Sequence, residues 1–215
     1  MTIERLLAVV RPPAAPSEAF RGPWEPVEAE IGRELPPDYK DFVRVYGGGY
    51  FFRGAVMICV AGAASPGARL ERQVPLDCEV FTALGDDILP YRLWPEADGL
   101  IPLGGTNGGD HIFWLPDGEP AAWKIVVWGR GLGTFEVFDC DVTDFLAGLA
   151  SGEILPKEFP ELVLGDRVFE PFPPVPDWRR RFAVVSENPL RLSWRLGRYG
   201  TGASGVSFSQ LRDET

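Results

Sequence analysis

The side chains best suited to catalysis or metal binding are few and far apart in this sequence. His111 is its single histidine, and its three cysteines are Cys59, Cys78 and Cys140. A zinc or redox site needs such residues at short ligand spacings, and the chain contains no Cys-x-x-Cys pair. It also lacks the motif that surrounds a nucleophilic serine in many hydrolases. We therefore predict that His111 lies at a strand edge and that the cysteines are reduced core residues.

Pairs of carboxylates are the second possible source of chemistry. General acid–base catalysis needs two carboxylates in unlike environments, which spacing along a chain does not show. Helix caps and solvated turns explain such pairs more simply. The sequence thus predicts neither an enzyme nor a bound cofactor or metal. The pairs are Asp86 with Asp87, Asp117 with Glu119, and Asp139 with Asp141.

Two glycine-rich segments have the composition of phosphate-binding loops. Gly200–Gly205 matches the pattern G-x-G-x-x-G, but only ten residues follow it, and residues 206–209 alternate like a strand. Gly104–Asp110 precedes the strand-like run His111–Leu115, whereas a phosphate would need the N-terminal amides of a helix there. We therefore predict no nucleotide site, and a hairpin loop at Gly104–Asp110.

Three tryptophans, Trp114, Trp123 and Trp128, cluster on two neighbouring predicted strands. Such rings can form a platform for a sugar or another ligand, or they can pack across strands in a core. The sequence favours core packing. An enzyme or ligand-binding site that uses these rings together with His111 stays open as an alternative.

The charge of the chain indicates the kind of partner that it can bind. Its net charge is −10, and residues 1–155 hold 12 Lys and Arg against 23 Asp and Glu, whereas residues 156–215 hold 9 against 8. An acidic body repels the phosphates of nucleic acids and anionic lipids, and it attracts basic proteins. We therefore predict a protein partner, most simply a basic one, and neither nucleic acid nor membrane. The alternative is that the charge serves only solubility.

No segment has the pattern of an export signal or a membrane span. The N-terminal apolar run covers only Leu6–Val10, which is too short for a signal peptide. No apolar stretch approaches the ~20 residues that cross a bilayer. The sequence thus predicts a cytoplasmic protein.

Apolar residues recur at helical spacing in several segments. Pro36 and Pro37 suit a first helical turn, and Gly47 suits the left-handed residue that ends a helix. Asp141 can cap another helix, with Asp144 three residues later. Between residues 69 and 87 the pattern is ambiguous and favours helix only near Cys78–Leu84. The predicted helices are Ile3–Val10, Trp24–Ile31, Pro36–Tyr46, Cys78–Leu84 and Val142–Leu149.

Short runs of aromatic and β-branched residues, separated by glycine-rich turns, predict an antiparallel meander. The composition changes after residue 155, where Pro, Arg and Gly become frequent. We therefore predict one domain over residues 1–155 and an extension over residues 156–215 that packs on the same domain. The predicted strands are one or two in Tyr50–Val60, then Ile101–Leu103, His111–Leu115, Lys124–Trp128 and Thr134–Phe138, with weaker candidates at Arg181–Ser186 and Leu190–Leu196.

Three motifs together resemble the SUKH superfamily, which includes the fungal Smi/Knr cell-wall regulators. The first runs from Ile31 to Phe42 and on to Tyr46–Gly49, and the second joins Ile101–Gly104 to Asn107–Asp110 and Phe113–Trp114. The third is Trp123–Trp128, followed by Phe138 and Phe145–Leu146. Their order and spacing agree with the family over about residues 24–152. The motif residues are Pro36, Tyr39, Phe42, Gly47, Gly48, Gly49, Gly104, Asn107, Trp114 and Trp128.

The resemblance implies an α+β fold in which helices pack against a mostly antiparallel β-sheet, followed here by a C-terminal extension. It also implies a non-enzymatic role. Bacterial members of the family are regarded as immunity proteins that bind and occlude a cognate toxin, whereas the fungal members are intracellular regulators or scaffolds. The matched glycines and aromatic residues imply architecture, so no catalytic residue carries over.

Contacts with a basic toxin are predicted at acidic residues in turns, because exposed carboxylates steer a basic partner during encounter. The predicted partner-binding residues are Asp86, Asp87, Glu96, Asp98, Asp110, Asp117 and Glu119.

Overall fold

The predicted helices are present, and one of them is longer than the sequence indicates. The computed structural model describes residues 3–85, 89–159 and 167–173. These residues contain a single-turn 3₁₀ helix at Pro120–Ala122 and five α-helices: α1 (Glu4–Val9), α2 (Glu25–Ile31), α3 (Pro37–Val45), α4 (Leu70–Leu84) and α5 (Val142–Ser151).

Helix α4 begins eight residues before the predicted segment. Pro75 lies inside it, and a proline removes one intrahelical N–H and disfavours helix at the preceding residues. Leu70, Val74, Cys78 and Phe81 nevertheless share a buried face of this helix. Burial of that face against the rest of the protein outweighs the local cost of Pro75.

Helix α3 ends where Gly47 takes a left-handed conformation, with φ +66°. A Cβ atom on Gly47 would lie 2.1 Å from the Ser17 carbonyl oxygen, so the turn has no room for a larger residue. The helix itself buries Tyr39, Phe42 and Tyr46, each no more than 1% exposed. The first motif is thus a helix, its aromatic face and the turn that ends it.

One antiparallel sheet contains all the strands of the described residues, as the sequence predicts for the meander. Its spatial order is β6-β5-β4-β3-β2-β1-β7. Every neighbouring pair is antiparallel, and a bulge between Pro102 and Gly104 interrupts the β3–β4 register. The strands are β1 (Gly49–Phe51), β2 (Val56–Ile58), β3 (Ile101–Thr106), β4 (His111–Leu115), β5 (Lys124–Gly129), β6 (Thr134–Phe138) and β7 (Phe169–Pro171).

The two faces of the sheet are covered by different elements. On one face, called the inner face, Trp114 of β4 meets Tyr39 of α3 at 4.9 Å between ring centroids, and Phe138 of β6 meets Phe145 of α5 at 5.3 Å. On the opposite, outer face, Phe81 of α4 packs on the alternate residues of β4 and β5. Helices packed on a wholly antiparallel sheet confirm the predicted α+β class.

Part of the C-terminal region joins the sheet. Strand β7 pairs with β1, and Phe169 packs on Phe51 with 4.8 Å between ring centroids. Phe172 is also buried, and its ring would meet a Cβ atom on Gly48 at 2.5 Å. The predicted strands at 181–186 and 190–196 lie outside the described residues.

Candidate interaction surface

The strand register brings the acidic turns of the meander to one end of the sheet. Ile101 lies opposite Trp114, Leu115 opposite Lys124, and Ile125 opposite Phe138. The turns before β3, between β4 and β5, and after β6 therefore meet at the same end. We call this region the acidic end and define it by Glu96, Asp98, Asp117, Glu119 and Asp139.

All five carboxylates of the acidic end are exposed. Asp98 lies 3.4 Å from Arg92, and Lys124 lies 3.5 Å from Asp117 and 3.9 Å from Asp139. These pairs are at the surface, where an ion pair contributes little to stability and leaves the carboxylates accessible. Arg33, which binds the same turn as Glu96 and Asp98, is a third cation beside Arg92 and Lys124, and three cations against five carboxylates leave the acidic end negative.

Backbone contacts hold the turn that carries Glu96 and Asp98. The Arg33 guanidinium donates to the carbonyl oxygens of Glu96 and Ala97, both at 3.0 Å. The Trp94 indole N–H donates to the Ile31 carbonyl at 2.8 Å. These hydrogen bonds attach the turn to the C-terminal end of α2. Glu96 and Asp98 therefore need little further ordering when a partner binds.

Asp110, also a predicted contact residue, is not part of this surface. Asp110 is only 6% exposed, and its carboxylate accepts from the Thr106 hydroxyl at 2.6 Å and the Arg130 backbone N–H at 3.0 Å. Asp110 thus organises the β3–β4 loop at the opposite end of the sheet, and a buried, bonded carboxylate has no surface to offer a partner. Asp86 and Asp87 lie outside the described residues.

The glycine-rich loop before β4 is a hairpin loop, as predicted. The backbone N–H groups of Gly108 and Asp110 donate to the Thr106 hydroxyl oxygen, and that of Asn107 donates to the Ala55 carbonyl. The backbone N–H groups that would have to bind a phosphate are already hydrogen-bonded within the protein. The second glycine-rich segment, Gly200–Gly205, lies outside the described residues.

His111 lies on the outer face of the sheet and is covered by α4. The Phe81 ring packs edge-on against it at 4.9 Å, and its Nδ1 lies 3.9 Å from an oxygen of Asp77. Burial lowers the pKa of His111 to about 4 and raises the pKa of Asp77 to about 7, because burial disfavours the charged form of each group. Sequence reasoning missed Asp77, since one acid in an ambiguous segment has no distinguishing spacing.

The cysteines do not carry activated thiols. Cys59, Cys78 and Cys140 are all unbonded. Burial raises the pKa of Cys78 and of Cys140 to about 12 and that of Cys59 further, so the nucleophilic thiolate is scarce at neutral pH. Among the described residues no group of three His, Cys, Asp or Glu side chains could hold a metal ion.

The three tryptophans that cluster in the meander are core residues. Trp114, Trp123 and Trp128 are between 1% and 5% exposed. Trp114 and Trp123 belong to the inner core, whereas Trp128 packs with Phe81 on the outer face. Rings that are buried on opposite faces cannot form one platform for a ligand.

Asp38 has a role that local sequence does not reveal. It accepts from the backbone N–H groups of Val142 at 3.0 Å and Thr143 at 3.3 Å, at the start of α5. Burial, together with the charge of Asp141, raises the pKa of Asp38 to about 6. Because α3 and α5 are about a hundred residues apart, only the tertiary structure shows this second cap on α5.

A shallow cleft of about 340 Å³ lies between α2 and the start of α4. Its lining includes Glu30, Arg69 and Arg72 and the buried Glu71, whose carboxylate accepts from the Gly62 N–H and lies 3.6 Å from the Arg69 guanidinium. The Glu71 carboxylate is therefore satisfied by the fold.

The comparisons with known proteins point to one family. The SUKH_6 family model, described as SMI1-KNR4 cell-wall, matches residues 23–146. Neither a curated protein nor a solved structure matches the chain significantly. The match spans α2 to α5 and contains every carboxylate of the acidic end. Within the described residues no helix is both long and apolar enough to span a bilayer.

Proposed function

This chain belongs to the SMI1-KNR4 family, and from that premise we propose that it acts by binding another protein, as a cytoplasmic immunity protein that occludes a basic toxin. The observation that carries the proposal is the acidic end, where the register of four strands collects exposed carboxylates from three separate turns. A rigid, charged, exposed surface suits recognition of a protein of opposite charge.

The arrangement of polar groups supports a binding role over a catalytic one. His111 and Asp77 are neighbours with displaced pKa values, which is a feature of many catalytic pairs. Both side chains, however, are at most 15% exposed, and Phe81 covers His111. Exposed carboxylates on rigid turns have ready access to a partner, whereas this pair has little access to a substrate.

Growth protection tests the proposal directly. The chain is expressed together with the product of a toxin-like gene that neighbours its own, and survival is compared with that of cells expressing the toxin alone. We expect protection and stable co-purification. If purified toxin at micromolar concentration neither binds the chain nor loses activity, toxin neutralisation is wrong.

A matched pair of variants ties protection to the acidic end. The test variant combines Glu96→Gln, Asp117→Asn and Glu119→Gln, and the control combines Glu30→Gln, Glu79→Gln and Glu170→Gln, which are exposed elsewhere. Both variants lose three negative charges, so a difference between them reports on position. We expect roughly tenfold weaker binding in the test variant alone.

The second candidate function is regulation without a toxin, and the cell-wall description of the matched family favours it. Such a protein would use the same surface to bind partners in its own cell. It would give no growth protection against any neighbouring toxin, while deletion of its gene would change growth in the absence of toxin.

A further inference from the structure

The two edges of the sheet differ in how well they are protected against an added strand. The edge strand β7 has three residues and ends at Pro171, which cannot donate a backbone hydrogen bond. The opposite edge strand, β6, has five residues in unbroken register with β5 and contains neither proline nor lysine. Folded proteins usually shorten, bend or charge such edges, because exposed backbone groups recruit other strands.

The side chains of β6 are suited to a neighbour of a particular chemistry. On the outer face Val137 is 48% exposed, beside the partly buried ring of Phe135. On the inner face the Glu136 side chain is 19% exposed, accepts from the Lys157 backbone N–H at 2.7 Å and lies 3.9 Å from the Lys157 ammonium, which offsets its charge. Asp139, whose side chain is 87% exposed, follows the strand directly. An adjacent strand would thus meet apolar surface on the outer face and negative charge at the end of β6 that adjoins the acidic end.

We propose that β6 is the docking edge for the partner and that an extended partner segment of alternating apolar and basic residues adds to the sheet there. This inference rests on the proposed function and identifies the backbone part of its interface. Apolar side chains of the added strand pack beside Phe135 and Val137, and its basic side chains lie near Asp139 and the acidic end. Backbone pairing supplies affinity and the alternating side chains supply specificity.

Charge favours a strand from a different protein over a second copy of this chain as the occupant of the β6 edge. Each copy carries a net charge of −10, and pairing β6 with itself would bring Glu136 and Asp139 of two copies together. Like charges opposite each other destabilise strand pairs. A basic partner segment meets no such repulsion, and the adjoining acidic end steers it towards the edge.

Residue-resolved hydrogen exchange on the full chain tests the docking edge without the natural partner. The probe is the blocked heptapeptide Lys-Val-Lys-Val-Lys-Val-Lys, and its control is Lys-Pro-Lys-Val-Lys-Pro-Lys, which has the same charge but cannot continue a ladder. In the unliganded protein we expect fast exchange at the β6 amides that point away from β5, apart from that of Thr134, which donates to the Glu158 carboxylate. The first peptide should slow that exchange about fivefold or more, and the proline peptide should not.

Several outcomes overturn the docking edge. The inference is wrong if the β6 amides are already protected at all protein concentrations, because the chain itself then covers the edge. It is equally wrong if they become protected as protein concentration rises, since a second copy is then the occupant. Equal responses to both peptides would show charge attraction without strand addition.

Substitution provides the second measurement. Val137→Lys places a cation where the apolar side chains of the added strand must pack, and Leu76→Lys makes the same change at an exposed residue of α4. We expect about fivefold weaker peptide binding for Val137→Lys alone. If growth protection succeeds while the peptide leaves β6 unchanged, the proposed function stands and the docking edge is wrong. If the peptide binds β6 and protection fails, the edge stands and the toxin partner is wrong.

Discussion

At the scale of single residues, the fold changes the protonation chemistry of its buried acids. Asp77 lies on α4 with its side chain 15% exposed, and burial raises its pKa to about 7. Asp38 has a pKa raised to about 6 even though two backbone N–H groups bind it. For Asp38 desolvation outweighs the hydrogen bonds, and for both residues burial favours the neutral acid over the carboxylate.

Replacing Asp77 should therefore change how stability depends on pH. A pKa raised in the folded state gives a stabilising contribution that is complete below about pH 4 and is lost as the pH rises through about 7. Asp77→Asn keeps the shape of the neutral acid. We expect equal stability near pH 4 and a variant that is more stable by roughly 2 kcal/mol at pH 8. Urea unfolding at both pH values measures the difference.

The matched control for this prediction is Glu79→Gln, an exposed carboxylate on the same helix. Its stability relative to the wild type should stay level between pH 4 and pH 8. Because His111 has a pKa lowered to about 4, its own titration contributes to both proteins and cancels in the comparison. A stability difference for Asp77→Asn that does not change with pH would contradict the raised pKa.

At the scale of elements, the turn after α3 decides how β1 enters the sheet. The backbone N–H of Gly48 donates to the Ser17 carbonyl at 2.7 Å, and its carbonyl accepts from Phe172 at 2.9 Å. Residue 47 must have positive φ and must lie against the Ser17 backbone to make this junction. The three consecutive glycines of the first motif thus join α3, the N-terminal loop and β7.

Gly47→Ala should destabilise the protein strongly. The added Cβ would lie 2.1 Å from a backbone oxygen, at a φ of +66°, and both conflicts raise the free energy of the folded state. We expect a loss of about 2 kcal/mol or more in thermal or urea unfolding. Gly67→Ala is the control, because a Cβ at that position would have no atom within 4 Å and its φ is not left-handed; a comparable loss there would show that the junction is not the cause.

At the scale of the whole molecule, the surplus of acid is the property that a partner meets first. The matched family region holds the acidic end, and the net charge of −10 extends its field beyond contact distance. Long-range attraction acts on the encounter of two proteins more than on the lifetime of their complex. The charge is therefore expected to appear mainly in the association rate.

Association with a basic toxin should slow as salt is added. We expect the association rate constant to fall roughly tenfold between about 0.05 M and about 0.5 M salt, with little change in the dissociation rate. Stopped-flow mixing or surface-based kinetics measures both constants. The variant lacking the charges of Glu96, Asp117 and Glu119 should show a shallower salt dependence than the matched control. An association rate constant that does not depend on salt would show that the negative charge serves only solubility.

Most helices and strands, and the class of the fold, can be predicted from the sequence, because helical and strand spacing are local properties. The face of α3, the cap at Asp141 and the four meander strands all follow from residues within a few positions of one another. The prediction was too short at α4, because Pro75 weakens the helical signal in the first half of the helix. Burial of the apolar face of α4 outweighs the cost of Pro75 in the folded protein. The family motifs added the architecture that joins these elements.

Which carboxylates face solvent depends on how distant segments pack, and the sequence does not predict it. Asp110 and Asp117 both lie in turns between strands, yet Asp110 is 6% exposed whereas the Asp117 side chain is 68% exposed. The difference comes from Thr106 and Arg130, which enclose Asp110 once β3, β4 and β5 are in register. Burial depends on chain segments that are distant in sequence. The raised pKa of Asp77 and the second cap on α5 depend on such segments too. Such segments leave no periodic signal beside the residues that they cover.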